Sequence, residues 1–260
     1  MADSKALPPP TPFLKTSRTD AWWIPSLLTF LGLGFFLVYG AWAILVGKNY
    51  TYGPYISPLY GLELWGDSPH ALFGARPGFW PAWLPFTPGI FIAWAPAGFR
   101  FTCYYYRGAY YKAFWADPVA CTVGEPRSSY LGENWFPLVM QNVHRYFLYF
   151  ALALMLVLAY DAVESTQFDD GFGLGVGSLL TMMNVVLIGG YTFGCHALRH
   201  LIGGRADSLP VGFKGACYDG VSACNRNHMK WAWASLFGVL FVDMYVRSCA
   251  MGFITDLRIF

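Results

Sequence analysis

WWIPSLLTFLGLGFFLVYGAWAILV, from Trp22 to Val46, runs for twenty-five residues without a charge. A helix rises 1.5 Å per residue, so about twenty such residues cross the roughly 30 Å hydrocarbon core of a bilayer. The stretch is too long for a signal peptide and lacks a small-residue cleavage site. It follows a tail that holds three consecutive prolines, Pro8 to Pro10, which reads as a strap on the membrane surface. Working outward along the chain, four more segments meet the same demand, at about 86–106, 136–160, 172–201 and 229–253. The second contains Pro88 and Pro96, which predicts a kink. The fourth is rich in glycine, which permits close helix contact. The fold is therefore read as an all-α integral membrane protein with five transmembrane helices, a tail at 1–21 and a second tail at 254–260.

Composition agrees. Hydrophobic residues make up 56% of the 260, charged residues 12%, and mean hydropathy is +0.39. An ordinary soluble domain carries about 25% charged residues, so this chain cannot clothe a water-facing surface. A net charge of +2 gives no field for nucleic acid, and the apolar content excludes disorder. Aromatics at 19% fit belts at two membrane interfaces, including the Pro-, Gly- and aromatic-rich connection at 47–84. No phosphate loop, nucleotide fingerprint or internal repeat is present.

Lys and Arg set the orientation. Lys5, Lys15, Arg18, Arg107, Lys112, Arg127, Arg199, Arg205, Lys214, Arg226 and Lys230 lie on one side, against Lys48, Arg76, Arg247 and Arg258 on the other. The second side also carries Asp161, Glu164, Asp169 and Asp170. The N-terminus is thus expected in the cytoplasm and the C-terminus outside.

The chemistry is segregated too. Ionisable residues within a bilayer cost roughly 2.5–3.5 kcal/mol each on insertion scales and usually face a bundle interior or a cavity. With this orientation Cys103, Arg107, Cys121, His144, Arg145, Cys195, His196, Arg199, His200, Cys217, Cys224 and His228 all fall on the inner side. His70 and Cys249 fall outside, so four of the five histidines share one depth. In FTCYYYRGAYY, Tyr106 and Tyr110 share a helix face and Cys103 lies a turn from Arg107; this reads as an interfacial belt or a pocket for a polar head group. In GCHALRHLIGG, His196 and His200 are spaced i, i+4 and can reach one metal ion. Asp243, within the last segment, reads as a hydrogen-bond partner of a neighbouring helix.

Two cofactors suit these donors. Haem b takes two neutral histidines from facing helices, such as His144 with His196 or His200. A Rieske-type two-iron, two-sulfur cluster takes two cysteines and two histidines. Haem has no use for the thiols, and the outer halves of the spans offer no histidine pair for a second haem. The Rieske-type centre is therefore preferred, with Cys103 and Cys121 on one iron and two of His144, His196, His200 and His228 on the other.

CYYYRGAYYKAFWADPVAC (Cys103 to Cys121), NVHRYF (Asn142 to Phe147), CHALRHLIGG (Cys195 to Gly204) and NRNHMKWAW (Asn225 to Trp233), with the five-span plan, resemble the membrane-anchor, cytochrome b-like subunit of succinate dehydrogenase and fumarate reductase, respiratory complex II, in its haem-free bacterial class. The resemblance covers about residues 22–253. It implies a multi-pass subunit of the bacterial plasma membrane that is part of an enzyme without acting on succinate itself. The implied partners are a flavoprotein subunit, an iron–sulfur subunit, quinone and membrane lipid. It also implies docking of the iron–sulfur subunit on loops 112–133 and 202–227 and quinone reduction near the inner face. Tyr106, Arg107, Arg145 and Arg199 are donors at the depth that quinone carbonyls would need. The competing reading is a metal or small-molecule transporter using the same His/Cys cluster, although the absent repeat and the off-centre site count against it.

Overall fold

In a computed structural model, residues 12–260 are described except 85, 127–133, 137, 205–207 and 209–210. Lys5, Arg127 and Arg205 of the charge count, and parts of both proposed docking loops, lie outside the described residues. Four helices among them are long and apolar enough to cross a membrane. These are α1 (Ile24–Val46), α4 (His144–Glu164, entered through a 3₁₀ turn at Leu138–Val143), α5 (Val176–Phe193) and α8 (His228–Ala250). The second expected span is α2 (Ile90–Phe101), only 12 residues long, followed by α3 (Tyr104–Tyr110) and a π turn at Tyr111–Trp115. The fourth is likewise divided, into α5 and α6 (His196–Gly203). Residues 212–226, read as loop, form α7 (Gly212–Arg226).

The chain divides into two compact units, Met1–Phe35 with Phe101–Asn142 and Phe36–Arg100 with Val143–Phe260. In the first, the described part of the N-terminal tail is a strap on the chain that follows α3. Leu14 N–H donates to Gly124 O and Gly124 N–H to Lys15 O, both at 2.9 Å. Ser26, at the start of α1, donates to Val119 O at 2.9 Å. Phe30 packs on Phe114 with ring centroids 5.0 Å apart.

In the second unit α5 packs most extensively on α8, with α4 on the other side of α5. Close approach requires Gly190, because a Cβ there would lie 2.4 Å from the Trp231 ring. The connection after α1 is not an aromatic carpet at the interface. It holds the two-residue strands β1 (Thr51–Tyr52) and β2 (Tyr55–Ile56), paired antiparallel, and a plug of fully buried Tyr55, Ser57, Tyr60 and Glu63. Tyr60 stacks on Tyr50 at 4.1 Å, and Tyr50 donates to Glu63 at 2.8 Å. Burial, then that carboxylate, pushes the Tyr50 phenol above its ordinary pKa.

The plug also finishes α1, whose last carbonyls have no intrahelical donors. Tyr60 donates to Ala43 O at 2.8 Å, Thr87 to Ile44 O at 2.5 Å and Arg247 to Ala43 O at 2.8 Å. Arg247, one of the cations that the sequence assigns to the outer side, is 2% exposed within α8. Its Nε donates to Asp243 at 2.8 Å, and Tyr39 of α1 donates to the same carboxylate at 2.6 Å. Asp243 thus meets a neighbouring helix as the sequence suggests, and holds an ion pair as well.

Strands β3 (Gln167–Phe168) and β4 (Gly171–Phe172) form a hairpin between α4 and α5. The C-terminal residues do not trail away. Asp256 accepts from Tyr55 Oη at 2.7 Å, Tyr245 Oη at 2.6 Å and the Gly177 N–H at 2.9 Å, so it caps α5. Arg258 pairs with Asp170 at 2.6 Å, and its hydrogen bonds hold that carboxyl below the ordinary carboxylate range.

Candidate redox site at the helix breaks

Two cysteines stand where long apolar runs stop being helical. Cys103 precedes α3 with φ −64° and ψ 130°, and Cys195 precedes α6 with φ −65° and ψ 133°. Both are buried, 3% and 2% exposed. The first break lies seven residues beyond Pro96, through which α2 continues, so the proline is not what ends it. Tyr110 compensates locally, stacking on Phe101 at 5.4 Å and donating to its carbonyl at 3.3 Å. At the second break, Asn225 Nδ2 donates to Gly194 O at 2.7 Å. A Cβ on Gly194 would stand 3.0 Å from Cys224 O. α7 and the break therefore support each other.

In the second unit the break places Cys195 Sγ 3.1 Å from His144 Nε2, at the first residue of α4. The His144 ring lies parallel to Phe99 of α2, 4.7 Å away. Phe99 meets Tyr191 of α5 edge-on at 5.4 Å, and Tyr191 stacks on His228, the first residue of α8, at 5.0 Å. The two imidazoles thus end an aromatic arch. Phe99 and Tyr191 are 3% and 1% exposed, while the two imidazoles at the ends are half-buried.

Arg100, next to Phe99, lays its guanidinium 4.7 Å from the Tyr191 centroid. It donates to Ser235 Oγ at 2.9 Å and Ala232 O at 3.3 Å on α8. Neither the arginine nor the arch is visible as a motif. A cation one residue from the end of an apolar run was the available signal.

The other candidates are placed as follows. His196 and His200 are exposed on α6, ring centroids 6.3 Å apart. Arg199 donates to Ser222 at 3.0 Å and covers the Tyr218 ring of α7 at 5.0 Å. Arg145 is exposed. In the first unit Tyr106 is 3% exposed, and Arg107 lies 4.2 Å over the Tyr104 ring. Cys121 is exposed, with its carbonyl accepting from Arg18 at 3.1 Å. Among the described residues no three His, Cys, Asp or Glu side chains gather around one point at ion-binding distance.

A family model described as actinobacterial succinate dehydrogenase subunit SdhC matches residues 24–252. Among solved structures, the chain is similar to one from the Mycobacterium smegmatis Sdh1 complex in the apo form. Identity is 37%, the TM-score 0.86, and 96% of each chain is covered. A search of curated proteins gave no match. A model that covers most of the chain, with a structural likeness over nearly all of it, settles membership: the chain belongs to the actinobacterial SdhC family, the membrane-anchor subunits of succinate dehydrogenase.

Proposed function

We propose that the chain anchors succinate:quinone oxidoreductase, docks its iron–sulfur subunit and conducts electrons to quinone through a Cys/His redox centre near the cytoplasmic face. Five crossings put the termini on opposite sides of the membrane, and the Lys/Arg distribution puts the N-terminus inside and the C-terminus outside. Flavoprotein and iron–sulfur subunits complete the complex, with inner segments 112–133 and 202–227 as the docking surface.

One observation carries the reading: the contact of His144 with Cys195 at the end of an arch whose other end is His228. Imidazole and thiol from separate helices are the donor chemistry of a Rieske-type cluster. Such a cluster takes two imidazoles on one iron and two thiolates on the other. His144 and His228 are the imidazoles of this proposal and Cys195 a thiolate. His196 and His200, exposed on α6, are left for the aqueous edge. When bound, the cluster would supply one-electron transfer between the soluble iron–sulfur subunit and quinone.

The remaining residues act on the substrate and its protons. Succinate oxidation to fumarate releases two electrons and two protons, and quinone takes up two of each to become quinol. Quinone is an apolar chain ending in two carbonyls, so its site needs donors at the end of a lipid-facing cleft. Tyr106, Arg107, Arg145 and Arg199 are the proposed donors. A site at the inner edge can draw protons from the cytoplasm without a path through hydrocarbon.

His228→Ala in the whole complex tests this. Succinate oxidation with a water-soluble dye that accepts electrons upstream of the membrane should persist, while quinone reduction should fall by at least tenfold. Quinone reduction equal to wild type would overturn the proposal. The transporter reading has no observation of its own beyond the same side chains.

A further inference from the structure

We infer that residues 72–84 form an aromatic wedge seated in the headgroup and upper acyl region of the bilayer, in the leaflet at the C-terminal end of α1. The plug after α1 ends at Glu63, and the stretch beyond it is built the other way round. Leu72, Phe73, Phe79 and Trp83 are 62%, 67%, 69% and 82% exposed. Four large apolar side chains standing open so close together make a patch that a water-facing loop rarely carries. Behind them the rings are packed. Trp65 meets Phe73 at 5.4 Å, Phe79 at 5.6 Å and Phe91, in the first turn of α2, at 5.1 Å. α2 carries the same surface on, since its exposed Trp94 lies edge-on to exposed Phe150 of the spanning helix α4 at 4.9 Å. The patch is therefore continuous with the exposed apolar side of a membrane helix, which names lipid rather than a soluble protein as what covers it.

Charge and backbone chemistry agree. A polypeptide enters low-dielectric surroundings only if its backbone polar groups find partners within the chain. Pro77 and Pro81 have no N–H to satisfy. Arg76, the one charged residue of the stretch, donates through Nη2 to Pro81 O at 2.7 Å and to Trp80 O at 3.3 Å. Trp80 turns its indole N–H to Leu84 O at 3.0 Å. The N–H groups of Leu72 and Phe73 donate to Glu63 O and Leu64 O, both at 2.9 Å. The other N–H groups of the arginine remain for lipid phosphate, which long cationic side chains reach from an apolar surface. Irregular backbone is not tolerated facing lipid in the hydrocarbon core, so the wedge lies at the interface, where aromatic rings collect. It also extends the apolar cover past the start of α2, whose 12 residues rise only about 18 Å against a core of roughly 30 Å.

The test uses the whole complex in phosphatidylcholine nanodiscs, with each residue read by mass spectrometry. A phosphatidylcholine carrying a diazirine high on its acyl chain should label Phe79 and Trp83 on illumination. Aqueous hydroxyl radicals should oxidise Trp83 at least fivefold more slowly than in the denatured complex, although the chain by itself leaves that ring 82% exposed. Oxidation at the denatured rate would put the stretch in water and overturn the inference. Slow oxidation without lipid adducts would mean that protein covers the patch, and overturns it equally. Arg76→Ala should raise Trp83 oxidation at least threefold by stranding two carbonyls in lipid, and an unmoved rate would remove Arg76 from the seal. If that variant does not assemble, the two measurements on the wild-type complex decide.

Discussion

Removing the Asp243 carboxylate should be among the most damaging single changes near the C-terminal end of α1. Asp243 and Arg247 are 0% and 2% exposed. The carboxylate accepts from Arg247, Tyr39 and Ser57, and the guanidinium donates to Ala43 O and Lys48 O as well. Asp243→Ala therefore leaves a buried guanidinium without its counter-charge and two hydroxyls without their acceptor. Breaking a buried pair from one side costs about 3–5 kcal/mol, whereas replacing both partners with apolar residues is often neutral or stabilising. At about 2–4 °C per kcal/mol for a chain of this size, the single variant should lose roughly 6–20 °C. Asp243→Ala with Arg247→Met should recover much of that loss, less the carbonyl contacts of Arg247. Cys249, 3% exposed on the same helix, provides a local reporter. Pulse alkylation of the assembled complex along a temperature ramp, mapped by mass spectrometry, gives the midpoint of opening at that site. If the double variant opens at the same temperature as the single one, stranded charge is not what drives the loss and the argument fails.

Three other outcomes are expected. Asp256→Ala, which removes the acceptor for Tyr55, Tyr245 and the Gly177 N–H, should cost about 1–3 kcal/mol through buried donors left unsatisfied, with faster hydrogen exchange in the first turn of α5. Gly190→Ala should lower the melting temperature by forcing Trp231 outward, since overpacking costs typically about 1–3 kcal/mol; an unchanged midpoint would deny the close α5–α8 approach. Arg107→Ala should lower quinone reduction while the three kinds of subunit still co-purify, and an unchanged rate in isolated membranes would remove Arg107 from the quinone site.

The membrane architecture was legible because hydrocarbon imposes a length and a polarity that few other environments demand. Trp22–Val46 needs only counting, and α1 occupies nearly all of it. The breaks at Cys103 and Cys195 were not legible. Hydropathy runs straight through them, and the second is supported from outside the segment, by Asn225 donating to Gly194 O. α7 was hidden for a related reason. Its glycines, Asp219 and Asn225 favour loop locally, and its helix is secured by tertiary contacts, Tyr218 against Gly203 and Ser222 with Arg199. The buried plug after α1 was misread because Tyr and Trp serve equally as interface anchors and as core, and only the fold decides which.

For the proposed site, the donor types were legible in the sequence and their grouping was not. His144 and His228 emerged from the concentration of histidines at one depth. Cys195 was noted, yet ranked below Cys121 as a ligand because spacing along the chain cannot show that a helix break turns a side chain toward His144. Arg100 was passed over because a charge tally treats arginine as a marker of loops. Its partners, Ser235 and Ala232, lie more than 130 residues away.

The account's central claim is a redox centre in the inner half of the membrane held by residues of this chain. The most direct measurement is electron paramagnetic resonance of the dithionite-reduced complex, wild type beside His144→Ala and Cys195→Ala. The account predicts a signal of low average g value in wild type, absent from both variants, while the signals of the soluble iron–sulfur subunit persist in all three. A wild-type spectrum containing only the soluble subunit's signals, with no haem bands in the optical spectrum, would contradict it.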